Sequence, residues 1–360
     1  MWKGYEMKRY GKVLEILNEF EKMGIPSVDC VIYHKGECVF RHQAGFSDEE
    51  RTNPIDGSER YNIYSCSKPI TCTAALQLVE KGLIGLDTPV SEYLPEFRQL
   101  KKTIDGKTGD VKNIMTVRHL FTMSGGLTYN VTSENIRLGQ KETNGVMQTR
   151  AAMKYLAKDP LIFEPGERFE YSLCHDVLAA VAETVSGMTF GEYVKQNIFA
   201  PCGMKRTTFL LPEEELKEIA AQYRYDEAAK KFDPVGPQIQ HYKLGSAYES
   251  GGAGCVSSVD DYIRFLECLR TGKLLRQETL ELMQTPQIND TNPADYAYGL
   301  GVRCPSTGSS LQDFGWGGAA GAFLAVLPQA EATIFHAQHV LCSPNQPMRI
   351  NLVNAFLKDL

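Results

Sequence analysis

No stretch of this chain stays apolar for 18 residues, so nothing in it reads as a membrane-spanning helix. Positive charge is not in excess either. Thirty-eight Lys and Arg stand against 44 Asp and Glu, a net charge of −6, which argues against nucleic acid as the main partner. The ten cysteines are scattered with no Cys-x-x-Cys pair, so neither a disulfide framework nor a zinc site is expected in so long a chain. Free, reduced and mostly buried cysteines are expected instead, as in a cytoplasmic protein. The N-terminal Met1-Trp2-Lys3-Gly4-Tyr5-Glu6 has no apolar leader core, which points to the same compartment. His336 and His339 belong to a strand-like run that sends neighbours to opposite faces, so they are read as structural and no metal is expected. None of the eighteen serines sits in Gly-x-Ser-x-Gly, which removes the nucleophile elbow of ordinary α/β-hydrolases. Internal repeats and low-complexity tracts are absent as well.

What remains is an ordinary globular composition, 43% apolar and 23% charged, over 360 residues, long enough for two lobes. Apolar spacing predicts a helix over residues 6–23 and a hairpin from Ser27–Tyr33 to Cys38–Ala44 through Lys35-Gly36-Glu37. Helices are then expected near 67–81, Val117–Met123, Thr149–Ala157, Asp176–Val185, Phe190–Phe199 and Ser258–Arg270. Strand signals return at Tyr298–Arg303, Ala322–Leu327 and Thr333–Ala337, before a closing helix near Met348–Leu357. The polar stretches 100–116 and 225–247 read as surface loops. Strands at both ends with helices between imply a helical region inserted into a sheet domain. The expected division is 1–75 with 240–360 as the sheet domain and 76–239 as the helical one, with the site in the cleft between them.

The chemistry gathers at Tyr64-Ser65-Cys66-Ser67-Lys68-Pro69, the one Ser-x-x-Lys among the eighteen serines. On a helix, positions i and i+3 share a face, about 5–6 Å apart at Cβ. Pro69 is tolerated in a first turn, so the helix starts near Ser67 and Ser65 lies at its N-terminus. There the free N–H groups favour an alkoxide and offer an oxyanion donor. Cys66, Pro69, Ile70 and Cys72 wall Lys68 with small and apolar groups, which disfavours the charged ammonium and makes the lysine a usable base.

Joined to five further segments, this motif resembles the serine β-lactamase and penicillin-binding-protein superfamily in its class C-like branch. Those segments are Gly85-Leu86-Asp87-Thr88-Pro89-Val90, Thr116-Val117-Arg118-His119-Leu120, Pro165–Ser172, Ser250-Gly251-Gly252-Ala253-Gly254 and Tyr298-Gly299-Leu300-Gly301. The resemblance implies an α+β fold, an antiparallel sheet flanked by helices with an inserted, mostly helical domain. It also implies roles. Tyr171, in Tyr171-Ser172-Leu173, matches the family's Tyr-x-Asn and becomes the general base and acid, its phenolate favoured by Lys68. Trp316-Gly317-Gly318 takes the place of the Lys-Thr-Gly strand, and the amides of Ser65 and Ala319 form the oxyanion hole. The literal Lys107-Thr108-Gly109 and Ser133-Glu134-Asn135 are set aside, since their polar contexts do not fit the family's order.

Two departures bear on substrate. Leu173 replaces the amide-binding asparagine, and Trp316 replaces a cation that holds the carboxylate of β-lactam substrates. Leu173, Trp316, Gly317 and Gly318 are therefore expected to line a site for a neutral, apolar acyl ester, resembling the family VIII carboxylesterases. The expected reaction is small-ester hydrolysis through an acyl-enzyme on Ser65, with no cofactor. The alternatives are a β-lactamase or D-Ala-D-Ala carboxypeptidase, and a silent member binding peptidoglycan fragments or a protein partner. Asp176 is expected to cap the helix after Tyr171 or to tie down the tyrosine loop.

Overall fold

A computed structural model describes residues 9–236, 242–288 and 296–360. Its centre is a seven-stranded antiparallel sheet in the order Glu37–Gly45, Ser27–His34, Ala332–Ala337, Phe323–Leu327, Phe314–Gly317, Arg303–Pro305, Tyr296–Tyr298. The first hairpin and the C-terminal strands thus join across the chain, with Cys30 opposite His336 and Trp316 opposite Leu324. Side chains alternate across the pleat. Val28, Cys30, Ile32, Ala325 and Ile334 face the terminal helices Gly11–Lys22 and Asn351–Asp359, while Val31, Leu324, Val326 and Phe335 face the main core. Helix Val259–Arg270 covers that second face, its Tyr262 ring stacked 4.2 Å from Phe335. Both faces are buried along Phe323–Leu327 and Ala332–Ala337, which is why these two strands are mostly apolar.

The remaining core is helical. Ser67–Glu80 and Cys174–Ser186 lie side by side, and each is buried over most of its length. Family-like segments away from the nucleophile brace this region. Asp87 pairs with Arg118 (2.6 and 2.9 Å), and Thr116 N–H donates to His119 Nδ1 in a capping box.

Several expectations shift. The first helix runs Gly11–Lys22; residues 6–8 of the expected span, like the segment Met1–Glu6 read for a leader, lie outside the described residues. The stretch 100–116 is not a plain loop, because Lys101–Ile104 and Lys107–Asp110 pair as an exposed hairpin. The stretch 225–247 likewise begins in a hairpin, Tyr223–Asp226 with Lys231–Pro234, and residues 237–241 of it lie outside the described residues. The first hairpin lacks the apolar alternation that betrays a half-buried strand, whereas the second has it in Tyr223-Arg224-Tyr225-Asp226, over too few residues to stand out, and turns Tyr223 into the core. The expected strand Tyr298–Arg303 is instead a turn joining two strands, and Gly301 adopts φ +88° within it. Among the described residues no helix is long and apolar enough to cross a membrane.

Candidate active site

Ser65 lies in a single 3₁₀ turn, Tyr64–Cys66, that runs directly into helix Ser67–Glu80. Tyr64 takes a left-handed backbone (φ +46°) although it carries a large buried side chain. That conformation is costly, and here it lifts the next residue toward the cleft. Ser65 itself is only 9% exposed.

Lys68 Nζ lies 3.3 Å from Ser65 Oγ, and the Tyr171 phenol lies 2.5 Å from the same oxygen. Lys68 is completely buried and spends its other donors on Gly252 O (2.6 Å) and the Tyr129 hydroxyl (3.3 Å). An ammonium has three donors, so this lysine is fully engaged. It also sits 4.5 Å from the Tyr171 ring centroid and 5.5 Å from that of Tyr129, over their electron-rich faces. Tyr171 is clamped in a three-ring stack, with Tyr129 at 5.5 Å on one side and Trp316 at 5.9 Å on the other. Trp316 is held in turn by the edge of Tyr298 at 5.1 Å.

Tyr129 has no counterpart in the sequence reading. It comes from an irregular segment, Gly125–Asn130, with no motif to mark it. Burial first, and then the neighbouring Tyr171, pushes its pKa well above the ordinary phenol value. It therefore stays a neutral phenol that orients the lysine. Leu173 is the reverse case, expected on the substrate wall but 2% exposed, packed in the core and absent from the cleft lining. It caps the start of helix Cys174–Ser186, so its apolar side chain turns inward with Val177. Its amide still serves the site, donating to Thr128 O (3.2 Å) and joining the Tyr171 segment to that of Tyr129.

Asp176 neither caps this helix nor ties down the tyrosine loop. It lies inside the first turn, fully buried, and its Oδ1 accepts from Tyr248 (2.8 Å) and Ser250 (2.6 Å). Burial raises its pKa, and the Ser250 hydrogen bond acts against that. A Cβ on Gly252 would meet Asp176 Oδ2 at 2.5 Å, so glycine there lets the loop close over the carboxylate. That loop presents Gly252 O to Lys68, and Thr71 fastens it to the nucleophile's helix through Gly251 O (2.7 Å). The run Ser250–Gly254 is thus the lysine's acceptor shelf. Neighbouring His175 is not a base. It is fully buried, its pKa is pushed down to about 3 by burial and by Lys68, and Nε2 faces Phe121 O at 3.1 Å.

Trp316 and Gly317 end the strand Phe314–Gly317, and Gly318 begins a tight turn to Phe323. Ser65, Tyr129, Tyr171, Trp316, Gly317, Gly318 and Ala319 all line one cleft of about 1440 Å³. The Ala319 amide makes no hydrogen bond within the chain among the described residues. Further along the cleft stand Tyr225, Tyr242, Tyr296 and Phe323, so its walls are largely aromatic. Its two arginines are engaged, Arg303 with Asp313 and Arg349 with backbone carbonyls, and Lys230 and Glu227 add one charge of each sign to the lining. The rejected decoys lie elsewhere. Lys107-Thr108-Gly109 is the exposed hairpin strand, and Ser133 Oγ caps helix Glu134–Glu142. His336 and His339 are buried with pKa values depressed to about 4 by burial, and hydrogen-bond Gln338 and Ala220 O.

A serine–lysine–tyrosine cluster beside the end of the antiparallel strand Phe314–Gly317 defines a class of protein, and comparison with known proteins agrees. The Beta-lactamase family model matches residues 16–339. The chain belongs to the beta-lactamase family and is a serine hydrolase. It is 31% identical over 269 residues to Esterase EstB of Burkholderia gladioli, covering 69% of this chain and 67% of the relative. Two solved structures share the fold. EstCE1, described as a hydrolase with promiscuous acyltransferase activity, superposes with a TM-score of 0.80 at 24% identity over 98% of this chain and 99% of that one. A family VIII carboxylesterase gives 0.78 at 20% identity, over 98% of each chain.

Proposed function

We propose that this protein is a carboxylesterase in which Ser65 is the nucleophile, Lys68 and Tyr171 the proton-handling pair, and the amides of Ser65 and Ala319 the oxyanion hole. Ser65 Oγ attacks the ester carbonyl as its proton passes to Tyr171, which reacts as the phenolate with the Lys68 ammonium beside it as counter-charge. The tetrahedral oxyanion is held by the two amides. Tyr171 returns the proton to the departing alcohol, leaving an acyl group on Ser65. Water then enters, gives its proton to Tyr171 and attacks the acyl carbon, and Ser65 Oγ departs reprotonated. The observation that carries this reading is Ser65 Oγ within 2.5 Å of the Tyr171 phenol and 3.3 Å of Lys68 Nζ at the floor of an aromatic cleft.

Substrate polarity follows from the same walls. Trp316 stands where a β-lactam-directed site keeps a cation, and the cleft's arginines already have partners, which favours a neutral ester over a carboxylated amide. The cleft exceeds the roughly 300–1,000 Å³ of ordinary ligand pockets, so it has room for an ester with an aromatic or extended apolar part. That space also supports a second reading, in which a bulky alcohol replaces water as acyl acceptor; the structural neighbour EstCE1 is described as a hydrolase with promiscuous acyltransferase activity. Parallel assays with p-nitrophenyl esters and nitrocefin separate these readings. Ester turnover lost in Ser65→Ala supports the esterase, and added alcohol raising ester product over free acid supports transfer. Nitrocefin turnover without ester turnover contradicts both.

A further inference from the structure

Arg349 is 5% exposed, and among the described residues no carboxylate pairs with it. Burial lowers its pKa to about 10. A buried guanidinium needs its donors satisfied, and here they go to backbone. Nε donates to Gln346 O (3.2 Å), while Nη1 donates to Gly318 O (3.2 Å) and Ala322 O (2.6 Å). Those two carbonyls open and close the turn between Trp316-Gly317 and Phe323. Each already accepts from inside the turn, Ala322 O from Gly318 N–H (2.7 Å) and Gly318 O from Gly321 N–H (3.0 Å). Arg349, arriving from a distant segment, is therefore a cross-brace on a turn that already closes itself.

The braced carbonyl matters because Gly318 C=O and Ala319 N–H belong to one planar peptide unit. Fixing the oxygen fixes the direction of the N–H, which points the opposite way in a trans peptide. A cation on the oxygen also polarises the unit and strengthens its N–H as a donor. From the other side Gly318 is packed so closely on Ile63, two residues before the nucleophile, that a Cβ would lie 2.4 Å from Ile63 O. The peptide plane is thus held between Arg349 and the strand leading to Ser65.

We infer that Arg349 is a positioning residue for the oxyanion hole, holding and polarising the Gly318–Ala319 peptide so that Ala319 N–H meets the developing oxyanion. This rests on the esterase reading above. The test compares a p-nitrophenyl ester with its thionoester, whose C=S carbon chemistry is similar but whose sulfur accepts hydrogen bonds poorly. Arg349→Met is expected to lower kcat for the oxygen ester about 10- to 100-fold with little change in KM, short of the about 10²–10³ that deleting a donor costs. The thionoester rate should change little, so the oxygen-to-sulfur rate ratio collapses by the same factor, and Arg349→Lys should restore part of it. Equal losses on both esters would mean a merely structural role and overturn the inference. So would a loss appearing only in KM for esters bearing an anionic group. If Arg349→Met fails to fold by circular dichroism, Arg349→Lys decides alone, and a wild-type ratio in it is contrary. Absence of Ser65-dependent ester turnover in the wild type overturns the esterase reading itself, a separate result.

Discussion

Gly317 and Gly318 are neighbours in one motif, yet the structure makes opposite demands of them. A methyl group on Gly318 would lie 2.4 Å from Ile63 O, a backbone atom, and 3.3 Å from the Ala322 Cβ. Ordinary contact begins near 3.4 Å, so about 1 Å must be recovered by moving either the oxyanion turn or the segment carrying Ser65. Neither can yield cheaply, since the turn is braced by Arg349 and Ile63 is paired with Cys255 O at 3.1 Å. A misplacement of about 1 Å at reacting groups costs about 10²-fold. A methyl on Gly317 meets only Ala322 O at 3.5 Å and the Arg349 guanidinium at 3.6 Å, which is ordinary contact. Gly318→Ala is therefore expected to lose about 100-fold in kcat/KM for a p-nitrophenyl ester, and Gly317→Ala no more than about threefold. Thermal melts should show both variants folded, with Gly318→Ala losing about 1–3 kcal/mol. Equal activity in the two variants would refute the reasoning, because it would mean that the turn and the nucleophile are not in fixed contact.

Three further outcomes follow from the geometry. Tyr129→Phe removes an acceptor from Lys68 but keeps the ring stack, so about a tenfold loss in kcat/KM is expected, against about 10²–10⁴ for Tyr171→Phe; equal losses would mean the two phenols share one role. Asp176→Ala leaves the Tyr248 and Ser250 hydroxyls without their acceptor, about 1–3 kcal/mol each by urea unfolding, and a change below about 1 kcal/mol in total would contradict the anchoring role. Glu183, whose Oε1 accepts from Phe190 N–H, has its pKa raised from 4.5 to about 7, by burial first and by nearby Glu249 as well. The folded state therefore holds this proton more tightly than the unfolded one. Its contribution is complete below pH about 4.5 and fades as pH rises through about 7. Wild-type stability should fall relative to Glu183→Gln across that window and run parallel above it. A difference that is flat or grows the other way speaks against the burial.

The parts of the site that were legible in the sequence are those governed by local geometry. Ser65 and Lys68 are bound by helical spacing, and Pro69 and the apolar run after it place the helix start. Tyr171 and Trp316 stand in recognisable local motifs. Tyr129 was not legible, because it reaches Lys68 from an irregular segment 61 residues away and no periodicity marks it. The same holds for Arg349, whose value lies in two carbonyls 27 and 31 residues distant. Leu173 was read as a wall of the site because its motif position was taken to fix its direction, whereas helix entry turned it into the core. The hairpin at 101–110 is largely solvated, so the burial that writes alternation into a strand was absent, while in the second hairpin the alternation Tyr223-Arg224-Tyr225-Asp226, with Tyr223 turned into the core, is only four residues long. Conversely, the inner strands Phe323–Leu327 and Ala332–Ala337 were legible because both of their faces are buried.

The central claim is a covalent acyl-enzyme on one named serine. Mixing the protein with a p-nitrophenyl phosphonate, followed by intact-mass and peptide-mapping mass spectrometry, measures it directly. One phosphonyl group per chain is expected, on the peptide carrying Ser65, with loss of ester turnover in proportion to labelling and no adduct in Ser65→Ala. An adduct on another residue, or full ester turnover in a fully labelled protein, would contradict the account.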